Sequence, residues 1–373
     1  MLLVVKRESF AAALTAAAAI VPVRSARPNL KNALLIGEAD GMLEIQATDL
    51  EVGLRYRLKA ESVQEPAALC VPCGILAGLL KECVEDVVTL ETIGAKGVLT
   101  VGRDRYEIMG QESSDFPEVP KMSDENKLSV PAVEMAKMID RTIFAAAQEQ
   151  ARYAINGVYM QCKEKLLEVV ATDSHRLAYC KKKLKGSATE ESALGEGVIV
   201  PIKMMQEIRK LCDNVPNNEE LQLAVKDRII LVSGKTQTLS SLIVEGIFPK
   251  YQQVIPKDSD KEVTFKREAL LQALRKIMFL TSEETRIVQI TISDGTCLLE
   301  SRAPDKGQAA VTVEADYKGE TISIGFNPNY LLEALRVLAA DMVRIELKNA
   351  KRPGILREGQ DYLYVLMPAG PRE

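Results

Sequence analysis

Four groupings of residues in this chain have types and spacings that could do chemistry, and each is decided by its neighbours. Cys70-Val71-Pro72-Cys73 has the C-x-x-C spacing of a redox disulfide or of half a metal site. A zinc site needs a second pair, and the next cysteine, Cys83, stands alone, so packed thiols at a helix start are the favoured reading. Ser233-Gly234-Lys235-Thr236 resembles the end of a phosphate loop, but the glycine that such a loop needs five positions before Gly234 is Ile229, and the surrounding alternation reads as strand. Asp173-Ser174-His175 holds the three residue types of a hydrolase triad. Read as an extended strand, these neighbours point to opposite faces and cannot line up as nucleophile, base and orienter. Pairs of carboxylates are plentiful, yet none recurs in a context that would separate an acid from a base. His175 is the one histidine, which excludes a multi-histidine metal site. No catalytic centre emerges, and neither a metal nor a cofactor is expected.

The elements that would position these residues repeat. At 373 residues, two or three domains are expected. Ala47-Thr48-Asp49-Leu50 reappears as Ala171-Thr172-Asp173-Ser174, 124 residues on, and Ser114-Asp115-Phe116-Pro117 matches Gly246-Ile247-Phe248-Pro249. Val5-Lys6-Arg7-Glu8 is echoed by Phe265-Lys266-Arg267-Glu268. That internal echo argues against reading the alanine-rich stretch Ala11 to Ile20 as a secretory signal, and in favour of a strand leading into a helix. Each unit then runs through a hairpin, with Asp40-Gly41 and Asp294-Gly295 as turns, a third strand, and a second helix opening near Pro72, Pro201 or Pro328. The first helices are predicted over Ser9 to Ala19, Ala132 to Ala147 and Glu268 to Leu280, and polar linkers over Lys121 to Lys127 and Pro256 to Lys261. The expected class is α+β: three repeated domains, at 1–122, 128–256 and 261–373, each with two helices packed on antiparallel sheets.

Hydrophobic residues make up 47% and charged residues 27%, as in ordinary globular chains, and seven irregularly spaced cysteines suit a reduced, cytoplasmic setting. The net charge is −4, but its distribution is uneven: the six predicted helices carry +4 together and the remainder −8. Lys203, Arg209 and Lys210 share one helix, and Arg275 and Lys276 another. These are either solvated helix faces or, if all six helices line one surface, a basic track for nucleic acid on an acidic body.

Several segments carry a resemblance over the whole length. They are Arg152-Tyr153-Ala154-Ile155-Asn156-Gly157, Ala171 through Ala178, Phe248-Pro249-Lys250-Tyr251 through Pro256, Ile324 through Tyr330, and Tyr364-Val365-Leu366-Met367-Pro368. In this order, with the threefold repeat, the chain resembles the bacterial DNA polymerase III beta subunits, the sliding clamps. The resemblance implies the DNA clamp fold, closed into a ring as a head-to-tail homodimer, whose basic helices face duplex DNA without reading its sequence. It implies a processivity factor with no catalysis of its own. Polymerases, the clamp loader and repair proteins would dock by linear motifs in a hydrophobic cleft formed by Ile155, Thr172, His175, Arg176, Leu177, Pro249, Val254, Tyr330, Val365, Met367 and Pro368. Arg24, Arg152 and Tyr153 match positions associated with DNA, beside the helix cations Lys203, Arg209, Lys210, Arg275 and Lys276. Ser174 stands where the family usually has glycine, and Gln252 and Gln253 where it is often basic. The competing expectations are a cytosolic redox or metal enzyme built on Cys70 and Cys73, and a peptide-binding hub without DNA function.

Overall fold

The computed structural model describes residues 1–122, 126–148, 153–185, 191–282, 284 and 286–370. The first repeat consists of β1 (Leu2–Lys6), α1 (Arg7–Ile20), β2 (Ala33–Gly37), β3 (Met42–Thr48), β4 (Val52–Lys59), β5 (Ser62–Gln64), β6 (Ala68–Val71), α2 (Cys73–Glu82), β7 (Val87–Ile93), β8 (Lys96–Val101) and β9 (Asp104–Met109). The second consists of β10 (Leu128–Pro131), α3 (Ala132–Thr142), β11 (Val158–Lys163), β12 (Leu166–Thr172), β13 (Arg176–Lys183), β14 (Val198–Val200), α4 (Ile202–Asp213), β15 (Glu220–Lys226), β16 (Ile229–Ser233) and β17 (Gln237–Leu242). The third follows as β18 (Lys261–Lys266), α5 (Arg267–Met278), β19 (Val288–Ser293), β20 (Thr296–Ala303), β21 (Gly307–Glu314), β22 (Ile322–Phe326), α6 (Pro328–Val337), β23 (Met342–Leu347), β24 (Gly354–Glu358) and β25 (Tyr362–Leu366). Apart from the short extra strand β5, the order is the same three times.

Local chemistry explains the elements. In α1 the buried residues Phe10, Ala13, Leu14 and Ala17 fall at the spacing of one helical face, and in α5 Leu270, Leu274 and Ile277 do the same. Burying each such Leu or Ile contributes roughly 1.5–3 kcal/mol. At the start of α6, Pro328 takes the first turn, where its missing N–H costs nothing, and the Asn327 side chain accepts from the Asn329 N–H at 3.0 Å. The β2–β3 and β19–β20 hairpins turn on Gly41 and Gly295 at φ +82° and +72°, a conformation that suits glycine. The third predicted helix is shorter than expected. It stops at Thr142, whose hydroxyl bonds back to the Met138 carbonyl at 2.7 Å, and Ile143–Ala145 tightens into a 3-10 turn.

The sheets cross the repeats. One eight-stranded antiparallel sheet runs β10-β15-β16-β17-β4-β3-β2-β6, joining the second repeat to the first through β17 and β4. The other runs β14-β11-β12-β13-β25-β24-β23-β18 and joins second to third through β13 and β25. A five-stranded sheet, β5-β1-β7-β8-β9, and a four-stranded one, β21-β20-β19-β22, belong to the first and third repeats. The chain accordingly divides into two compact units that follow the sheets. One is Met1–Val133, Ser187–Leu194 and Gln206–Ile243; the other is Glu134–Gly186, Gly195–Met205 and Val244–Glu373.

Candidate peptide-binding cleft

The tight turn between β12 and β13 organises the site. Thr172 Oγ1 donates to the Arg176 carbonyl at 2.7 Å, and Asp173 Oδ1 accepts from the N–H groups of His175 at 2.9 Å and Arg176 at 3.0 Å. Ser174 sits at φ +77°, a left-handed conformation in which glycine would be unstrained. This corrects the strand reading of Asp173-Ser174-His175. The three residues form a turn, and the carboxylate that a triad would need is spent on holding that turn. Asp49 makes the same two bonds, at 3.0 and 2.8 Å, to Glu51 and Val52.

Above the turn lies a cavity of about 250 Å³ lined by Ile155, Thr172, Ser174, Arg176, Leu177, Pro249, Tyr251, Val254, Val365 and Met367. Its floor belongs to a buried cluster that includes Val170, Ile199, Phe248, Ile355 and Leu363. Leu177 and Val365 face each other in the β13–β25 ladder, so the register of that strand pair brings both to one wall. Eight of the residues expected in the cleft are therefore together. The other three take different places. His175 is exposed on the turn, where its carbonyl accepts from the Met367 N–H at 2.9 Å. Tyr330 stacks beneath the Arg176 guanidinium, 4.2 Å from ring centre to Cζ, and Pro368 follows Met367 just past the wall.

The polar atoms of this lining turn inward to the protein. Arg176 is 9% exposed, and its Nε donates to Asp173 at 3.0 Å, its Nη2 to the Phe144 carbonyl at 2.6 Å and its Nη1 to Glu333. Burial alone would lower its pKa, but Tyr364, Glu333 and Asp173 outweigh that and hold it above the usual arginine value. Tyr251 donates from its hydroxyl to Glu168 at 3.2 Å, and Tyr179 donates to the other oxygen of the same carboxylate. Burial, then Glu168, raises both phenols well above the ordinary range, so they remain donors at any physiological pH. Tyr159 stacks on Phe248 at 5.0 Å behind them. What remains for a ligand is an apolar hollow with a rigid rim, suited to aliphatic or aromatic side chains of an extended segment rather than to bond-making.

Ser174, expected at the cleft wall as a departure from the family's glycine, lines the cavity; Tyr251 lines it without having been expected there, and Glu168 supports it. Tyr251 lies in the Phe248-Pro249-Lys250-Tyr251 motif, so its position carried a signal; Glu168 had none. Beside the cavity, sharing Val254 and Met367 with it, is a wider depression of about 740 Å³ bounded by Gln252–Asp258 and Lys351–Pro353.

The cations expected to meet DNA stand in different circumstances. Arg24 is exposed after α1, and Arg275 and Lys276 are exposed in the last turn of α5; none of the three forms an ion pair among the described residues. Arg209 pairs with Asp213, and Lys210 with Glu207 at 2.8 Å, within α4, while Lys203 is half-buried in its first turn. Arg152 lies outside the described residues, and Tyr153 opens the 3-10 turn Tyr153–Ile155. Cys70 and Cys73 are both buried, and burial pushes each thiol up to about 11, away from the thiolate that redox or metal chemistry needs. Ser233-Gly234-Lys235-Thr236 ends β16 and turns into β17, a hairpin rather than a strand-to-helix loop. No described helix is long and apolar enough to cross a membrane.

Three domain models of the DNA polymerase III beta subunit match in succession: the N-terminal domain over residues 1–120, the central domain over 129–250 and the C-terminal domain over 252–369. The beta sliding clamp of Pseudomonas putida is 31% identical over 367 residues, covering 98% of both chains. That of Escherichia coli is 30% identical over 351 residues, with 92% of this chain and 93% of that one covered. Among solved structures, the DNA polymerase III subunit beta of Pseudomonas aeruginosa superposes with a TM-score of 0.92 at 30% identity, over 99% of this chain and all of that one. A Pseudomonas aeruginosa sliding clamp bound to griselimycin superposes at 0.93, also at 30% identity, over 99% of each chain.

Proposed function

The chain belongs to the DNA polymerase III beta subunit family, the beta sliding clamps, and from that membership we propose that two copies close head to tail around duplex DNA. It is the processivity factor of a bacterial replicative polymerase, acts in the cytoplasm and catalyses nothing itself. Its domains are 1–122, 128–256 and 261–373. One observation carries the ring. Each junction inside the chain pairs the last strand of one repeat's second sheet with the third strand of its neighbour's first sheet: β17 with β4, and β25 with β13. By the same repetition β9 corresponds to β17 and β25, and β21 to β4 and β13. Yet among the described residues β9 pairs only with β8, and β21 only with β20. The remaining junction of this kind is β9 of one copy against β21 of the next, which removes two open edges at once. Exposed Met109 on β9 and Phe279 beyond α5, 69% and 80% accessible, supply apolar surface for it.

Duplex DNA is held by phosphate-directed charge, with Arg24, Arg152, Tyr153, Lys203, Arg209, Lys210, Arg275 and Lys276 as the contacting set. Polymerases, the clamp loader and repair proteins anchor apolar side chains in the cleft, where Ile155, Thr172, Leu177, Pro249, Val254, Val365 and Met367 form the walls; Arg176, His175, Tyr330 and Pro368 complete the rim. Sedimentation equilibrium tests the ring: the native chain runs at twice its monomer mass and Phe279→Glu at the monomer mass. Loaded onto nicked circular DNA the native protein stays, and it leaves when the circle is linearised. A native monomer at every concentration, or equal retention on circles and on linear duplex, overturns the reading.

A further inference from the structure

Beyond Leu366 the chain leaves β25 and is tied down twice within three residues. The Met367 N–H donates to the His175 carbonyl at 2.9 Å, and the Ala369 N–H donates to the Gly325 carbonyl at 2.8 Å. The first anchor is on the Asp173 turn. The second is on β22, whose ladder partner among the described residues is β19 alone. Between the anchors stands Pro368, with a fixed φ and no N–H to leave unpaired, so the span is stiff. Met367, which lines the cavity, is thus carried on backbone held at both ends.

Gly325 makes the second anchor possible. Along β22, Ile322, Ile324 and Phe326 alternate with Ser323 and Gly325, and the first three are buried while Ser323 is exposed. Gly325 shares the face of Ser323 and is buried all the same, because the tail lies over it. Its φ is not left-handed, so the backbone would accept any residue; the space does not. A Cβ at this position falls on the Ala369 carbonyl oxygen, well inside van der Waals contact, and meets Ile287 Cγ2 at 3.2 Å and Gln289 Oε1 at 3.3 Å. The latter two are side-chain atoms that need shift only slightly. The carbonyl belongs to the tail's backbone, which would have to lift from the strand.

We propose that this contact is a backbone latch that fixes the rim of the cleft, with Gly325, which does not itself line the cavity, as a positioning residue for peptide binding. The proposal rests on the cleft reading above and adds to it the device that holds Met367 and Pro368 in place. With the latch closed, the rim is ordered before a peptide arrives. With it open, the two residues keep only the His175 anchor, and the peptide has to order them as it binds, which lowers its affinity.

The test uses the full-length protein and a synthetic peptide with Leu and Phe anchors. Gly325→Ala breaks the latch by crowding the acceptor, and Ala369→Pro breaks it by removing the donor. Each variant binds the peptide about three- to tenfold more weakly, the scale of one side chain that must be ordered on binding. The double variant binds no more weakly than either single one, because both changes open the same contact. In Gly325→Ala the Ala369 amide, protected in the native chain, exchanges its hydrogen faster. Ala369→Pro alters only the tail, so it decides the matter even where Gly325→Ala fails to fold. Native affinity in Ala369→Pro refutes the latch and leaves the cleft intact. Losses that multiply in the double variant mean that Gly325 acts through its own sheet, and the proposal falls. Failure of the native chain to bind the peptide overturns the cleft itself.

Discussion

The turns Thr48–Val52 and Thr172–Arg176 share one backbone, yet only the second supports the cleft. In both, the threonine hydroxyl donates to the carbonyl four residues on, the aspartate accepts two N–H groups, and the third residue is left-handed, Leu50 at φ +78° and Ser174 at +77°. Both lead into a strand paired with the last strand of another repeat. The side chains above them differ. Where the second turn is followed by Leu177 opposite Val365, the first is followed by Gly53 opposite Ser240, and Val119 takes the space that Tyr251 borders at the other junction. Where Glu168 accepts from two tyrosines, the equivalent Glu44 is bound by the guanidinium of Arg55, whose Nε also donates to the Val119 carbonyl at 2.7 Å. One junction is braced shut by a buried ion pair and the other held open by an aromatic frame. One turn geometry thus stands beside an open cavity at one junction and a filled one at the other.

The largest effect expected of breaking this contrast is in the braced junction. The side chains of Arg55 and Glu44 are 8% and 6% exposed, so Arg55→Met strands a carboxylate that keeps only Gln46 at 2.6 Å and Arg57 at 3.9 Å. Breaking one side of such a pair costs about 3–5 kcal/mol. Tyr179→Phe, which leaves Glu168 with Tyr251, costs about 1–2 kcal/mol. Urea unfolding of the two variants measures the difference; a loss at Arg55 no greater than at Tyr179 removes the distinction between brace and frame. Next in size is Gly53→Leu, which places the cleft's own residue in the closed junction. A Cβ there meets Ser240 Oγ at 2.6 Å and Val119 Cγ1 at 2.8 Å, and overpacking of this kind costs about 1–3 kcal/mol. An unfolding midpoint equal to that of the native chain would mean that the first junction has room for a side chain.

The repeat was legible because it is written in local chemistry: a proline near the second helix recurs in all three units, the Asp-Gly hairpin in the first and third, and the Thr-Asp pair in the first and second. The third helix was over-read, since Ile143 to Ala147 continues an apolar run that composition alone cannot distinguish from another helical turn. The Asp173 turn passed for a strand because no glycine marks its left-handed position; a serine adopts it there. Eight residues that line the cavity were expected together from motifs carried by family resemblance, not from their own pattern. The frame behind them was not legible in the same way. Glu168 meets Tyr251 across 83 residues, and Val119 reaches Gly53 through the packing of a loop on a strand, contacts that neither periodicity nor spacing encodes.

The smallest effect sharpens the comparison most, because it applies one substitution to both turns. Asp49→Ala and Asp173→Ala each remove an acceptor for two backbone N–H groups, a loss of about 1 kcal/mol by the scale of capping residues. In the Asp49 turn the residue in the place of Arg176 is the apolar Val52, so no cavity wall is held there. At Asp173 the second carboxylate oxygen also holds Arg176 Nε at 3.0 Å, so its removal frees one edge of the guanidinium that walls the cavity. Asp173→Ala therefore lowers the affinity for an apolar-anchored peptide by about tenfold, in the range of a truncated interface anchor, while Asp49→Ala leaves it unchanged. Both stabilities, measured by thermal unfolding, fall, that of Asp173→Ala further because the buried Arg176 loses a partner; the two affinities, measured by calorimetry, part. Equal peptide affinity in both variants would show that Arg176 keeps its place without Asp173. The rings of Tyr330 and Phe144, 4.2 and 5.5 Å from the Arg176 Cζ, would then be what fixes the wall.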